Sequence, residues 1–514
     1  MAVKWPQKVA LVLADQSITY AEMAAYVQRL TLDILSQGVK TGQVICQLVD
    51  RSLEMPLGFF SILTAGCVYC ALNPADPPAR LIVRMQELGS YRANVILGHN
   101  LTHDKFLTLE SFATLSFIPI DNQLSTLSIV HDDDLARLSS IRLTRSSSCY
   151  VTFTSGSTGK PKIVEHTHSS ALHYINYMIV DGLVRPTDNI FQLASCSWVP
   201  HILEMLDFCV SGATLIILKP DGILNLTYLT NLIREQQPTW MMFSPTFLRA
   251  FISYFHLTKA GEQCFATVQR ILTAGEPLPW TLAKQLHALL PVQAIHYNVH
   301  GTSECAITSH YRVPRDGSVG IENTNDNQII VPSGRPGFGF TGYIVDETFQ
   351  LITDSGQMGE ILYGGGCLFK GYLNDRTKTD KVLIKLPHLT DDEQLLYRTG
   401  DMAKYTEDGN IVVIGRLDFQ LKIQNQRIEA AEVEHITMAF SPSIISNCVV
   451  MKAVHEEQDH LIAYLAVGNN MDKINVNDIR QYCQEHLASF SVPSLFMILP
   501  SLPVLPNGKI DRNQ

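Results

Sequence analysis

The densest group of chemically capable residues lies in Tyr150 to Lys162, where a β-branched run leads into Thr154, Ser155, Gly156, Ser157, Thr158, Gly159 and Lys160, then Pro161 and Lys162. Four hydroxyls, two glycines and two lysines fall within nine residues. Backbone N–H groups, hydroxyls and ammonium groups in such a loop can surround phosphate oxygens. The spacing is not that of a Walker loop, because Gly156 and Gly159 are only three apart and Lys160 precedes a proline. A flexible Ser/Gly turn is the alternative reading.

Other groups carry less meaning taken singly. Glu304 alone reads as a surface carboxylate, and Lys509 as a surface lysine in a Pro/Gly turn. Val199, Leu203 and Leu206 fall at i, i+4 and i+7, one face of a helix that Pro200 can start, and ordinary core is the plain account of them. Cys67-Val-Tyr-Cys70 is a C-x-x-C inside a buried-strand pattern with no second pair nearby, so cysteine as a small hydrophobe is preferred to zinc or redox chemistry. His166, His168 and His173 are read as loop or helix-surface histidines rather than a metal site.

The elements that must position these residues form an α/β pattern. Short strands at Val9–Ala14, Val44–Leu48, Asn94–Leu97, Thr214–Leu218, Trp240–Phe243 and Ala294–Tyr297 alternate with helix-length segments, which predicts βαβ units with parallel sheets covered on both faces. Beyond about Ile330 the pattern turns to Gly- and Pro-punctuated strands with an Asp408-Gly409 hairpin turn. After Arg416 a small separate domain is expected, with strands at Ser446–Lys452 and Leu461–Val467 and a helix at Val476–Leu487. The uncharged stretch Met55–Ala75 is broken by Pro56, Gly58, Gly66 and Pro74, so it is read as a buried helix turning at Gly66 into a core strand, not a membrane span.

Composition bounds the rest. The chain has 514 residues, 46% hydrophobic and 17% charged, with a net charge of −10, which excludes a disordered chain and argues against nucleic acid as a partner. Eleven cysteines spread over this length do not form a secreted disulfide framework, so a reducing, cytoplasmic setting is expected.

Taken in order, Ala65-Gly66 with Leu72-Asn-Pro-Ala-Asp76, the phosphate-type loop, Asn298-Val-His-Gly-Thr-Ser-Glu304, Gly359-Glu360, Tyr397-Arg-Thr-Gly-Asp401, Gly415-Arg416-Leu-Asp418 and Pro506-Asn-Gly-Lys509 resemble the AMP-forming adenylate synthetase (AMP-binding) superfamily. The resemblance is strongest to the adenylation domains of nonribosomal peptide synthetases. It implies the fold of that superfamily, also called ANL or acyl-CoA synthetase-like: a core over residues 1–416, built of two α/β subdomains and a β subdomain, and a mobile α+β lid over 417–514 hinged at Asp418. It also implies a two-step ligase in which a carboxylate attacks ATP to give an acyl-adenylate and pyrophosphate, and a thiol then takes the acyl group.

By the same resemblance Thr154 to Lys160 would hold the β- and γ-phosphates. Glu304 would hold Mg2+, with Ser303 beside the α-phosphate. Asp401, assisted by Arg416, would bind the ribose. Asn298 would read the adenine edge, with Val299, Gly301, Gly275 and Glu276 lining the nucleotide cleft, and His300, in place of a tyrosine, would stack on the base. Lys509 would meet the substrate carboxylate. The substrate pocket would be Trp198, Val199, Pro200, Leu203, Met242, Leu272, Ala274, Val299, Ile307 and Thr308.

Val199 occupies the position where an aspartate usually pairs with a substrate α-ammonium, so an apolar acid lacking that ammonium is expected. Gln424-Asn425 and Ala430-Ala431 depart from the pattern near the pantetheine arm, which bears on the thioester step. Three readings stand: an adenylation unit serving a carrier protein's phosphopantetheine, a free-standing acyl- or aryl-CoA ligase, and a nucleotide-binding interaction domain without catalysis. The 514 residues are expected to be one activating unit, free-standing or cut from a longer synthetase.

Overall fold

A computed structural model describes residues 1–107, 115–121, 131–154, 160–258, 264–317, 321–323, 328–390, 393–416, 420–423, 426–441, 444–455, 458–467 and 475–503. The chain divides into two compact units. One comprises Met1–Pro74, Ser90–Thr152 and Ile163–Leu417; the other comprises Ala75–Gly89, Phe153–Lys162 and Asp418–Gln514.

Among the described residues the first unit is built on three larger sheets and a two-stranded one, Ile321–Asn323 with Gln328–Ile330. The largest runs in the order Arg335–Pro336, Ala306–Arg312, Ile295–Thr302, Arg270–Ala274, Trp240–Phe243, Asn189–Gln192, Thr214–Ile217, Val9–Leu13, Gln16–Thr19. Its middle, from Ile295–Thr302 to Val9–Leu13, is parallel. Both edges are antiparallel, which the alternating pattern did not announce. The connections 14–15 and 303–305 are too short for a crossover, so Gln16–Thr19 and Ala306–Arg312 each fold straight back on the strand before them. A second, mainly parallel sheet contains Val44–Leu48, Val68–Ala71 and Ser148–Thr154. Met55–Ala75 resolves as expected into a buried helix, Glu54–Thr64, and a strand, Val68–Ala71.

One apolar cluster joins these two sheets, with Ile45 and Tyr69 from one and Leu215, Met242 and Leu272 from the other. Between them runs the helix Val199–Ser211, ten of whose thirteen residues are buried. The third sheet is antiparallel and carries Phe340–Val345, Gly359–Gly365, Leu396–Tyr405 and Ile411–Arg416, the last two joined through a turn in which Gly409 takes φ +72°. It delivers Tyr363, Asp401 and Arg416 to the chemistry below.

The second unit packs helices Ala430–Ala439 and Val476–His486 on a three-stranded sheet of Asn447–His455, Gln458–Ala466 and Leu495–Leu499. Val433, Leu461, Leu465, Ile479, Cys483 and Phe496 form its apolar centre. Among the described residues no helix is long and apolar enough to cross a membrane. All eleven cysteines are free; Cys67 and Cys70 are buried, and burial pushes the Cys67 thiol up to about 12, as suits a packing residue.

Candidate nucleotide and substrate site

Asn298 and His300 sit two apart on the strand Ile295–Thr302, so the pleat puts both on one face and Val299 on the other. Asn298 is buried; its Nδ2 donates to the Val331 and Pro332 carbonyls at 3.1 and 2.9 Å, and its Oδ1 accepts from Thr273 Oγ1 at 3.0 Å. His300 is held by both ring nitrogens, Nδ1 3.0 Å from the Tyr363 hydroxyl and Nε2 3.0 Å from Asp401 Oδ2. Burial pushes the Tyr363 phenol up, so it stays a hydroxyl, and Ser309 Oγ also lies 3.3 Å from it.

Asp401 is almost fully buried, with Arg416 Nη1 2.8 Å from its other oxygen. The imidazole expected to offer a face to a base is thus also a brace for this carboxylate. That second duty follows from its two nitrogens, which a stacking tyrosine lacks.

The chain then doubles back at Gly301. A Cβ there would lie 1.7 Å from the Ala306 carbonyl oxygen, so no larger residue fits, whatever ligand is nearby. Glu304 is fully buried, with Oε1 accepting from the Tyr372 hydroxyl at 2.8 Å. The Ser303 carbonyl accepts from His166 Nε2 at 2.8 Å.

His166 departs from its sequence reading. It is a buried strand residue stacked on Tyr150 at 4.7 Å, and burial lowers its pKa to about 4. Alternation along Lys162–Thr167 turns it inward, and the carbonyl it serves compensates the buried N–H. His173 faces out from the next helix, as expected, whereas His168 at its start is half-buried with Nε2 enclosed, and burial lowers its pKa.

Of the phosphate-type loop, Thr154 and Lys160 are described. Thr154 Oγ1 is enclosed with no hydrogen-bond partner among the described residues. Lys160 is exposed, 3.1 Å from Glu87. Ser155, Gly156, Ser157, Thr158, Gly159, Asp418, Gln424, Asn425 and Lys509 lie outside the described residues. Gly275 takes φ +92°, and Glu276 Oε2 accepts from the Thr246 N–H and hydroxyl at 3.0 and 2.7 Å, where a carboxylate complements the start of the helix Pro245–Thr258.

The expected pocket residues are brought together. Val199, Leu203, Met242, Leu272, Val299 and Ile307 belong to one apolar cluster, with Ala274 packed against it. Thr308 is fully buried and donates to the His300 carbonyl at 3.1 Å. Trp198 and Pro200 are half-buried at the start of the Val199–Ser211 helix.

The same helix holds what the apolar stripe did not foretell. His201, Glu204 and Asp207 are buried on its other side. Glu204 accepts from Gln192 Nε2 at 3.0 Å and from the Leu193 and Ala194 N–H groups at 3.3 Å, and burial pushes its carboxyl up to about 7 against the pull of Arg51 and these donors. Asp207 accepts from the Tyr174 hydroxyl at 2.9 Å. Three ionisable residues in an otherwise apolar helix were the available signal.

A sequence profile of the family described as AMP-binding enzyme matches residues 1–373. The chain belongs to the AMP-binding enzyme family. Bacitracin synthase 1 of Bacillus licheniformis is 29% identical over 516 residues, which cover 99% of this chain and 9% of that protein. Malpinin synthetase of Mortierella alpina is 28% identical over 99% of this chain and 6% of its own length. The chain therefore spans about a tenth or less of these AMP-binding relatives. Among solved structures, the artificially fused adenylation–PCP di-domain NpsA-ThdA from Klebsiella oxytoca matches with a TM-score of 0.79 at 21% identity, covering 96% of this chain and 91% of that one. The fold is thus that of adenylation domains: a large core of α/β and β subdomains.

Proposed function

We propose that the chain activates a carboxylic acid with ATP, forming an acyl-adenylate and releasing pyrophosphate, and that the acid is apolar and lacks an α-ammonium. The observation that carries this reading is that Val199, Leu203, Met242, Leu272, Val299 and Ile307 share the apolar core between the two sheets, and that Val299 lies between Asn298 and His300 on the strand whose His300 serves the Asp401 network. A carboxylate is a poor nucleophile, so positioning and charge neutralisation around the phosphorus do most of such a reaction.

In this reading Thr154 and Lys160 meet phosphate, and Asp401, steadied by His300 and Arg416, accepts from the ribose hydroxyls. Asn298 meets the base. A hard cation held through one carboxylate and the substrate's own phosphates suits the donor set at Glu304, and magnesium bound there would neutralise phosphate charge. Lys509 is proposed to meet the substrate carboxylate, and residues 417–514 to act as a lid hinged near Asp418.

The two acidic side chains on the Val199–Ser211 helix are engaged elsewhere, Glu204 with Gln192 and the 193–194 backbone and Asp207 with Tyr174. A buried ammonium without an anionic partner costs several kcal/mol, so α-amino acids are disfavoured by roughly a hundredfold or more. ATP–pyrophosphate exchange over a panel of α-amino, α-hydroxy, α-keto, acyl and aryl acids tests the reading. Exchange with an acid lacking the ammonium supports it, and silence across the panel overturns it. The thiol acceptor is proposed to be carrier-bound phosphopantetheine, since the relatives are peptide synthetases. Offering CoA and a holo-carrier protein separately, with labelled acid, distinguishes the two.

A further inference from the structure

The turn at Ser303 and Glu304 is gripped from outside at three points. His166 Nε2 donates to the Ser303 carbonyl at 2.8 Å, the Phe369 N–H donates to the Glu304 carbonyl at 2.8 Å, and the Tyr372 hydroxyl donates to Glu304 Oε1 at 2.8 Å. The three donors belong to one piece of structure, because Gly371–Tyr372 pairs antiparallel with Lys162–Thr167, with Tyr372 opposite Val164. Their duties differ. Phe369 fixes the peptide after Glu304, and Tyr372 fixes the tip of its side chain. The peptide before Glu304 has His166 as the donor to its carbonyl among the described residues. Its N–H makes a longer, local contact with Thr302 Oγ1 at 3.3 Å, which moves with the turn and ties it to nothing.

An imidazole is a costly way to fill position 166. Ile163 and Val164 are buried on the same strand, and a buried ring N–H is unfavourable unless it is bonded. A carbonyl can only accept, so Nε2 carries a proton toward Ser303. The ring is itself held, stacked on Tyr150 with centroids 4.7 Å and planes 19° apart, and with Nδ1 3.2 Å from the Ser170 hydroxyl. Tyr150 stands in Ser148–Thr154, the neighbouring strand of the same sheet, which ends where the phosphate-type loop starts. His166 thus ties the Glu304 turn to both strands that flank that loop.

We propose that His166 is a positioning residue that holds the peptide between Ser303 and Glu304, and with it the direction from which Glu304 meets the cation of a metal–nucleotide complex. The inference rests on the proposed reading in which Glu304 holds magnesium. The two peptides flanking a Cα set where its side chain points, and magnesium tolerates little departure from octahedral geometry, so a small swing of the carboxylate weakens the contact. Without the His166 N–H the Ser303 carbonyl is left unsatisfied, and the peptide relieves this by turning toward another donor. The rest of the nucleotide site stands on other partners, Asp401 on His300 and Arg416.

The test is calorimetric binding of ATP to the purified chain, once with magnesium and once with a chelator in its place, no acid being present and each variant checked by its melting temperature. The ratio of the two affinities reads the metal contact and cancels a general weakening of the site. His166→Phe keeps a ring to stack on Tyr150 but has no N–H. It is expected to cut the ratio about fivefold, the size of one hydrogen bond, with metal-free ATP within about twofold of wild type. His166→Gln, whose amide can donate to the same carbonyl, is expected to recover most of the ratio. A merely structural role would weaken ATP equally with and without metal, and Gln, which lacks the stack, would do no better than Phe. Glu304→Gln is expected to collapse the ratio, and His166→Phe added to it to have little further effect.

His166→Leu carries the test if His166→Phe does not fold; if neither folds, His166 is a packing residue and the inference fails. If the ratio collapses in Glu304→Gln but survives in His166→Phe, the inference fails while the magnesium reading stands. If Glu304→Gln keeps the wild-type ratio, if wild type binds ATP no better with magnesium, or if no ATP binds, that reading fails and takes the inference with it.

Discussion

Asp401 shows how much one carboxylate can be asked to do. It is buried, yet both oxygens have donors, His300 Nε2 on one and Arg416 Nη1 on the other. Replacing His300 with Phe removes one hydrogen bond from the Tyr363 hydroxyl and one from Asp401, which costs about 1–3 kcal/mol in a buried setting. Chemical denaturation should show the destabilisation, and ATP binding should weaken in parallel; a variant as stable as wild type would show that the brace is dispensable. His300→Tyr returns a hydroxyl to the position and should retain ATP binding better than Phe.

Val199 is the second residue whose type decides an outcome. It stands first in the Val199–Ser211 helix, buried in the apolar cluster. Val199→Asp supplies the missing counter-charge. It is predicted to raise exchange with α-amino acids by roughly tenfold or more relative to their deaminated analogues, a shift of at least ~1.4 kcal/mol. Unchanged preference would place the ammonium partner, or the pocket, elsewhere.

At the scale of elements, the Val199–Ser211 helix is the piece on which the proposed pocket depends. Its apolar side was legible because Val199, Leu203 and Leu206 recur at helical spacing and Pro200 suits a first turn. Its polar side was not, because periodicity asks which residues share a face and does not say that the opposite face is also covered. The structure covers it with Gln192, Leu193 and Ala194, whose N–H groups meet Glu204.

Glu204→Leu would strand three N–H donors in the core. A loss on the order of 3 kcal/mol is expected in urea unfolding, together with a weaker grip on the pocket seen as a raised KM for the acid. Loss of stability with unchanged KM would separate this network from the pocket. The antiparallel edges escaped the sequence for a different reason. Strand composition marks strands but not their direction, which the tight return at Gly301 decides. The main chemical motifs, by contrast, were visible from residue types and order alone. What no motif contained was the set of partners, such as Thr273 and His296 behind Asn298, because these come from separate segments and meet only in three dimensions.

For the whole molecule, buried ionisable groups set the response to acid. His166 is held near 4, His201 near 3 and His287 near 4, all mainly by burial, and His296 is lowered further. These four stay neutral in the folded chain while the unfolded chain takes up their protons below about 6.5. Glu204 and Asp207 oppose them, since burial raises both and the folded chain keeps protons that the unfolded one releases above about 4. Below about pH 6 the unfolded chain therefore binds more protons, nearly four on these histidines by about pH 5 against about two on the folded chain's Glu204 and Asp207, so stability falls as the pH falls. His166 alone contributes on the order of 3 kcal/mol by the bottom of its range. Urea midpoints at pH 7 and pH 5 should show the drop, and a flat profile would mean that these histidines are not buried neutral.

The central claim is that this member of the AMP-binding family activates an acid without an α-ammonium. It is met most directly by ATP–pyrophosphate exchange with a matched pair such as leucine and its α-hydroxy analogue, compared as kcat/KM on the same preparation. The account predicts that the hydroxy acid exceeds leucine by roughly a hundredfold, the cost of burying an unpaired ammonium. Leucine equal to or better than its analogue would contradict it.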